Sequence, residues 1–215
     1  HYLQVLGTWR RAEVTAPTPA DRPCGLVEQF VDHIAGLVTR DERSWLLDAV
    51  ARDAHEWDEW FGRSTDIGGL ERERNILRYR PAPTQVRGCA DAKLVDVARV
   101  VAAGLVAAGD DISVCLDPSF GEGLGRALRS VGVAVTTASD EDWYASLGAG
   151  RVRLVGGNPS RAADEVDGNP DLVVWANEVT SAPQIEFLPF LREQSVSVTA
   201  HRFGNVDAGA LSVRL

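Results

Sequence analysis

The sequence predicts an α/β protein: a Rossmann-like, mainly parallel sheet with flanking helices, preceded by a helical segment and closed by a C-terminal β-flap. Two observations predict this fold class. After about residue 77, five short apolar runs alternate with helical patterns, which indicates βαβ units and a parallel sheet. Near the end, IEFLPFL and SVSVTAHRF are two extended runs joined only by REQ, which indicates a hairpin outside that sheet.

Four segments follow from these patterns. Residues 1–22 are predicted to hold a short strand, HYLQVLGTW, and a linker rich in proline and small polar residues. Residues 23–66 form a helical pair, residues 67–183 the Rossmann-like domain, and residues 184–215 the β-flap and C-terminal tail. Because the chain starts with His1 and contains no methionine, we expect it to be a fragment or a processed product.

Apolar residues in the helical pair recur at the spacing of one helix face. In the first helix, CGLVEQFVDHIAGLVTR, Val27 and Val31 share that face. The second helix is predicted to open with a capping box formed by Thr39 and Glu42, and Gly62 is expected to stop it. Its apolar stripe comprises Leu46, Val50, Ala54, Trp57 and Phe61.

The Rossmann-like domain is predicted to contain five strands and four helices in alternation. The strands are TQVRGCAD, DISVCLD, VAVTTAS, RVRLVGG and LVVWANEV. The helices are KLVDVARVVAAGLVAAG, residues 123–130, EDWYASL and SRAADEV.

The closing flap alternates like a half-exposed strand. Its polar face comprises Ser195, Ser197, Thr199 and His201. Its other face, predicted to be buried, comprises Val196, Val198 and Ala200. Pro189 interrupts the extended run before it, which places that run at an edge or a bulge.

Composition disfavours several functional classes. The net charge of −9 and the pI of about 4.9 disfavour nucleic acid and anionic membrane surfaces as partners. No apolar run approaches the roughly 20 residues that span a bilayer. Cys24, Cys89 and Cys115 are widely spaced, which favours reduced thiols in a cytoplasmic protein over disulfides or a zinc site.

The stretch FGEGLGRAL is the strongest candidate for a cofactor site. It follows a strand and opens a helix, and Asp140 ends the next strand, where a ribose-binding acid is expected. However, Gly121, Gly123 and Gly125 are spaced G-x-G-x-G rather than G-x-G-x-x-G, and Glu122 would bring negative charge towards a pyrophosphate. We therefore favour a glycine-rich loop that lets helix and strand pack closely, with a NAD-binding dehydrogenase module as the alternative.

Two histidine motifs could carry chemistry. His55 and Glu59 share a helix face, but the second histidine of the zincin motif is absent, so we expect no metal site. His201 and Arg202 lie side by side, yet no serine near them sits in a nucleophile elbow. We therefore interpret this stretch as a half-exposed strand with a polar face rather than as a catalytic site.

Arginines concentrate in GGLERERNILRYRP. The basic cluster comprises Arg72, Arg74, Arg78 and Arg80. Strand alternation puts the last two on one face. Pairing with acids such as Glu71 and Glu73, or with another domain, is favoured because arginine suits interface ion pairs. A regulatory protein-interaction domain that captures an acidic partner is a further alternative.

Three stretches resemble the C-terminal region of the bifunctional proline utilization A flavoenzymes, which couple proline dehydrogenase to L-glutamate-γ-semialdehyde dehydrogenase. They are ERNILRYRP with the following helix and the strand ISVCLD, the closing FLREQSVSVTAHRFGN, and the opening HYLQVLGTW. The resemblance covers residues 2–204. In longer family members, an extra domain with a Rossmann-like core and a β-flap, itself related to aldehyde dehydrogenases, follows the catalytic domain.

The resemblance implies a domain without chemistry of its own. It implies packing over the catalytic aldehyde dehydrogenase domain of the same or a neighbouring chain, help in sealing the channel for the intermediate, and homo-oligomer contacts. The parent enzyme is implied to use FAD and NAD, with no cofactor held by this fragment. The G-Q-x-C-like loop of the dehydrogenase nucleophile has no counterpart around the three cysteines. The expected contact residues are Phe187, Phe190, Ser195, Ser197, Thr199, His201, Arg202 and Phe203.

Overall fold

The computed structural model describes residues 25–68, 70, 73–109, 111–199, 201–202 and 205–206. In this part of the chain the helices are α1 (Gly25–His33), α2 (Arg40–Glu56), α3 (Leu94–Ala108), α4 (Gly121–Ser130), α5 (Asp140–Ala145), α6 (Pro159–Glu165) and α7 (Pro183–Glu186). The strands are β1 (Thr65–Asp66), β2 (Glu73–Pro81), β3 (Thr84–Gly88), β4 (Ile112–Leu116), β5 (Ala134–Thr137), β6 (Gly150–Val155), β7 (Leu172–Trp175), β8 (Leu191–Thr199), β9 (His201–Arg202) and β10 (Asn205–Val206). The predictions for HYLQVLGTW, Cys24, Arg72, Ala200 and Phe203 lie outside the described residues.

Five parallel strands form the central sheet in the order β5-β4-β3-β6-β7. The first of them in sequence, β3, lies in the middle, with Arg87 beside Cys115 on β4 and Leu154 on β6. This is the doubly wound arrangement of a Rossmann-like fold. The predicted fold class and the five predicted strands are therefore confirmed.

Helices cover the two faces of the sheet unequally. On one face α3 contacts β3, β4 and β6, and α1 and α2 pack over it. Because α3 lies between the sheet and this outer layer, it buries residues all round, among them Val97, Val101 and Leu105. The other face carries only the short helices α5 and α6, whose Trp143 and Ala162 join a second, smaller core cluster.

The predicted start and stop signals of α2 are confirmed. The Thr39 N–H donates to a Glu42 carboxylate oxygen at 2.8 Å, and the Glu42 N–H donates to the Thr39 hydroxyl oxygen at 3.3 Å. After α2, one π-helical turn over Trp57–Phe61 ends at Gly62. The first helix is shorter than predicted, since α1 ends at His33 and turns lead into Thr39.

A second, antiparallel sheet has the order β1-β2-β8. Strands β2 and β8 pair from Glu73 opposite Thr199 to Pro81 opposite Leu191, and we call this pair the ribbon. Strand β1 adds only two paired positions. The segment at residues 73–81 therefore belongs to the ribbon, and the parallel sheet starts with β3.

The predicted hairpin between IEFLPFL and SVSVTAHRF is wrong. IEFLPFL forms the end of α7 and a 3-10 turn at Leu188–Phe190, and β8 pairs with β2 instead. Pro189 has no N–H for a strand ladder, and Phe187 and Phe190 are fully buried in the main core. These two phenylalanines therefore lie in the core of this chain, although they were expected at a contact surface.

The end of the predicted flap strand also differs. Strand β8 ends at Thr199, and β9 and β10 form a small antiparallel pair in which Arg202 lies opposite Asn205. Val196 and Val198, predicted to be buried, are half-buried. Val196 lies opposite Ile76, which is buried, so this face of the ribbon is covered at Ile76 and only partly covered at the two valines.

Buried charges link the layers in one network. The Arg99 guanidinium donates to both Asp53 carboxylate oxygens, at 2.6 and 2.8 Å, and to the Thr180 carbonyl at 3.0 Å. The Thr180 N–H donates to Glu186 at 2.8 Å, and Glu186 pairs with Arg153 at 3.1 Å. All four charged side chains are buried. Burial raises the pKa of Asp53 to about 6, against the opposing effect of Arg99.

Within the described part of the chain, every helix falls short of the length and apolar character that crossing a bilayer requires.

The Asp53→Ala variant tests the buried network. We expect the free energy of unfolding to fall by about 3–5 kcal/mol, because the Arg99 charge would stay buried without its partner. The measurement is urea unfolding followed by circular dichroism. Asp48→Ala is the matched control, since Asp48 is exposed on the same helix, and we expect a change within about 0.5 kcal/mol. Equal losses in the two variants would contradict the role of the network.

Candidate functional site

The crevice at the carboxyl ends of β3 and β6 is where a doubly wound sheet binds its ligand. In this chain it is filled by its own side chains. The Asp91 carboxylate accepts the Gly157 N–H at 2.7 Å. A Cβ atom on Gly157 would lie 2.6 Å from the Cys89 sulfur and 2.7 Å from the Tyr144 hydroxyl oxygen. These contacts place side-chain atoms of the chain itself against the turn that follows β6.

Arg87 is the central charge of this crevice, and its side chain is fully buried. It donates to an Asp140 carboxylate oxygen at 2.5 Å, to the Ala138 carbonyl at 3.1 Å and to the Cys115 sulfur at 3.2 Å. The second Asp140 oxygen accepts the Ala90 N–H at 3.2 Å. Asp140, the expected ribose-binding acid of the NAD alternative, is therefore engaged within the chain.

The glycines of FGEGLGRAL do not form a loop. Helix α4 begins at Gly121 and contains Gly123 and Gly125 as well. A Cβ atom on Gly123 would lie 3.0 Å from the Leu37 side chain, so this glycine lets α4 approach the turn between α1 and α2. The predicted loop with a helix from residue 123 is corrected to a helix from residue 121, and the close packing is against a helical turn rather than a strand.

The two described cysteines are free thiols, as the sequence predicts, and both are buried. Burial raises the pKa of Cys89 to about 12, and the nearby Asp140 charge adds to this rise while Arg87 opposes it. The thiolate is the nucleophilic form of cysteine. A thiol with this pKa is therefore protonated at neutral pH and unsuited to attack on an aldehyde.

A serine–histidine contact between α1 and α4 has no signal in the sequence, because 97 positions separate Ser130 from His33. The Ser130 oxygen lies 2.7 Å from His33 Nδ1, and the hydroxyl donates to the Ala127 carbonyl at 2.7 Å. Which of the two groups donates depends on the tautomer of the imidazole. The contact joins α1 to α4.

Among the described residues, no group of three or more histidine, cysteine or acidic side chains could hold a metal ion. Glu59, predicted to share a helix face with His55, pairs with Arg63 at 3.1 Å.

A cavity of about 680 Å³ opens on the thinly covered face of the sheet. Its walls include Gln85, Ser113, Thr136 and Leu172, which lie in β3, β4, β5 and β7. The indole N–H of Trp143 donates to the Gln85 side chain at 2.8 Å across its edge. Strand starts such as Thr84 and Gly150 line the cavity, so it lies away from the carboxyl ends where this fold class binds ligands.

The ribbon is the remaining candidate site. Its register divides the side chains between two faces. One face pairs Arg78 with Gln194 and Arg80 with Arg192, and the other carries the predicted contact residues of β8. Those residues are Ser195, Ser197 and Thr199, all exposed. His201 and Arg202 follow the ribbon in β9.

The predicted pairing of the arginine cluster stays a prediction, because Glu71 and Arg72 lie outside the described residues. The register places Glu73 on the face opposite Arg78 and Arg80. Arg78 donates instead to the Gln194 amide oxygen at 2.7 Å. Ser197 donates to the Asn75 amide oxygen at 2.7 Å on the other face, so short polar contacts link the two strands at both of these positions.

No family model matches this sequence, and no curated protein matches it. Among solved structures, the chain is similar to proline utilization A from Corynebacterium freiburgense, with 23% identity and a TM-score of 0.51 over 81% of this chain and 15% of that chain. It is also similar to a proline utilization A variant from Bradyrhizobium japonicum, with 20% identity and a TM-score of 0.49 over 76% of this chain and 20% of that chain. The chain thus spans about 15% of the first of these structures. At this identity the likeness shows that the chain has the fold of one part of proline utilization A.

Calorimetric titration with NAD⁺ tests whether the crevice is closed. We expect no saturable heat of NAD⁺ binding. The side chains of Asp91, Cys89 and Tyr144 lie at the switch point, and Asp140 is paired with Arg87. Circular dichroism on the same sample establishes that the chain is folded. Saturable binding that disappears in Asp140→Asn would overturn this assignment and support the NAD-binding module.

Proposed function

We propose that this chain is a non-catalytic accessory domain of a bifunctional proline-catabolic enzyme. In this proposal the ribbon lies over an aldehyde dehydrogenase domain of the same or a neighbouring chain and helps to seal the channel between the two active sites. The observation that carries it is a ribbon whose strand β8 is largely exposed, on a Rossmann-like domain in which Asp140 and Asp91 at the ligand crevice are bonded within the chain. The fold shared with part of a proline utilization A structure supports this choice of parent.

The outer edge of β8 suits a docking role. In the order β1-β2-β8, β8 is a terminal strand among the described residues. A strand with an unpaired edge can accept another chain through main-chain hydrogen bonds. Ser195 and Thr199 are exposed on it, so short polar side chains flank that edge without blocking an approach.

The base of the ribbon is held firmly. Arg151 donates to the carbonyls of Pro189 at 3.1 Å, Leu188 at 3.3 Å and Leu191 at 2.9 Å. The Ala82 N–H donates to the Phe190 carbonyl at 2.8 Å. A contact element whose base is ordered before binding loses less entropy on docking, which favours the ribbon as a preformed cover.

Neither described thiol can supply the nucleophile of an aldehyde dehydrogenase, since both are buried and Cys89 stays protonated. The FAD and NAD of the proposed parent are therefore assigned to its other domains. Assembly into a homo-oligomer is part of the proposal, with the ribbon as one of its contacts.

The Ser195→Trp variant tests the sealing role in an enzyme that carries both catalytic domains on the same polypeptide. We expect a longer lag before NADH forms from proline. A bulky indole ring at this position would hold the ribbon away from the channel, so the intermediate could escape. The two half-reactions, each measured with its own substrate, should keep their wild-type rates.

Ser160→Trp is the matched control, since Ser160 is exposed on α6, away from the ribbon. It should leave the lag unchanged. An unchanged lag in Ser195→Trp, or an equal increase in both variants, would count against the sealing role.

A further inference from the structure

The ribbon carries two like charges directly opposite each other at its base. Arg80 on β2 lies opposite Arg192 on β8 in the antiparallel register, and both side chains are exposed. Directly opposed residues have Cβ atoms only about 4.5–5.5 Å apart, and like charges at this spacing repel. The pair thus opposes strand pairing unless an anion lies between or above the two guanidinium groups.

Further positive charge surrounds this pair. Arg151 donates to the carbonyl of Leu191, the neighbour of Arg192. The pKa of Arg151 is lowered, first by burial and then by the Arg192 charge. Arg78 lies two residues along the same face, and its bonding partner is a neutral amide. We call Arg78, Arg80, Arg151 and Arg192 the basic end of the ribbon.

Within the described residues, neither Arg80 nor Arg192 forms an ion pair with a carboxylate. A shortage of acidic residues does not explain why these two arginines lack a carboxylate partner, since the chain has 31 acidic and 22 basic side chains. Other arginines of the chain do pair with a carboxylate: Arg43, Arg63, Arg87, Arg99, Arg129, Arg153 and Arg161. The nearest acid along β8, Glu193, lies opposite Tyr79 on the other face.

We propose that the basic end of the ribbon binds a carboxylate-rich segment of a partner protein. Guanidinium groups bind carboxylates in a two-bond geometry that fixes orientation as well as adding affinity. A polynucleotide is the weaker candidate, because a long polyanion would extend past the basic end and meet the rest of a chain with a net charge of −9, whereas a short acidic segment would not. The inference rests on the proposed docking role of the ribbon and adds the chemistry of the surface that it meets.

Fluorescence anisotropy with a labelled oligo-aspartate peptide tests the proposal on the full chain. We expect binding that weakens as salt is raised, since exposed charge pairs are screened. The double variant Arg80→Gln, Arg192→Gln should weaken it about tenfold, which corresponds to about 0.7 kcal/mol for each lost exposed pair.

The double variant Arg43→Gln, Arg63→Gln is the matched control. It changes the net charge by the same amount but removes arginines that already pair with Asp32 and Glu59. We expect less than about a twofold change in affinity. An equal loss of oligo-aspartate affinity in the two double variants, or no loss in the Arg80→Gln, Arg192→Gln variant, would overturn the proposal that the basic end is the binding site.

A third variant separates binding from folding. Arg80→Glu places opposite charges across the ribbon, so we expect the midpoint of thermal unfolding to rise while oligo-aspartate binding is lost. A lower midpoint would overturn the inference that the two arginines repel each other.

A single-stranded oligonucleotide of matched charge is the last probe. Tighter binding to it than to oligo-aspartate would overturn the carboxylate partner. Because none of these measurements uses catalysis, a failed lag experiment and a failed peptide experiment remain distinguishable.

Discussion

The buried network of Asp53, Arg99, Thr180, Glu186 and Arg153 is the constraint on which the ribbon depends. Apolar packing of α3 against the sheet is non-directional and tolerates many arrangements of the segment between β7 and β8. Hydrogen bonds from a guanidinium group are directional. Arg99 donates to the Thr180 carbonyl in this segment, and Arg153 donates to Glu186 in the helix within it. A buried charge that loses its partner is costly, so this segment has one stable path, and that path delivers β8 to β2.

The ribbon combines a fixed base with exposed faces. Its base is tied to the parallel sheet through Arg151 and through the Thr84 hydroxyl, which donates to the Pro189 carbonyl at 2.8 Å. Further out, contacts between its strands are short and polar, and no described helix covers either face completely. Order at one end and exposure along the rest is the arrangement expected of an element that completes its packing against another surface.

The filled crevice illustrates that a fold does not carry a function with it. A doubly wound sheet brings the ends of β3 and β6 together at the usual ligand position. Here Arg87 pairs with Asp140, which also accepts the Ala90 N–H, and Asp91 accepts the Gly157 N–H. The same scaffold therefore serves as a stable support, and the surface that remains for function is the ribbon.

Local patterns in the sequence determined most of the individual elements. The alternation of strands and helices, the capping box at Thr39 and Glu42, and the stop at Gly62 depend on neighbouring residues, so they can be read without the fold. The face division of Arg78 and Arg80 also follows from alternation alone. The absence of a dehydrogenase nucleophile motif depends only on the residues around each cysteine.

Only the tertiary structure decided which strands pair and which side chains are buried. The partner of β8 is β2, far away in sequence, because the buried phenylalanines and Pro189 hold IEFLPFL in the core as helix and turn. The contacts of Asp140 with Arg87 and of Ser130 with His33 exist only because the fold brings distant elements together. Pairing of strands and burial of charges depend on the free energy of contacts across the whole chain, and that information is not contained in any local stretch.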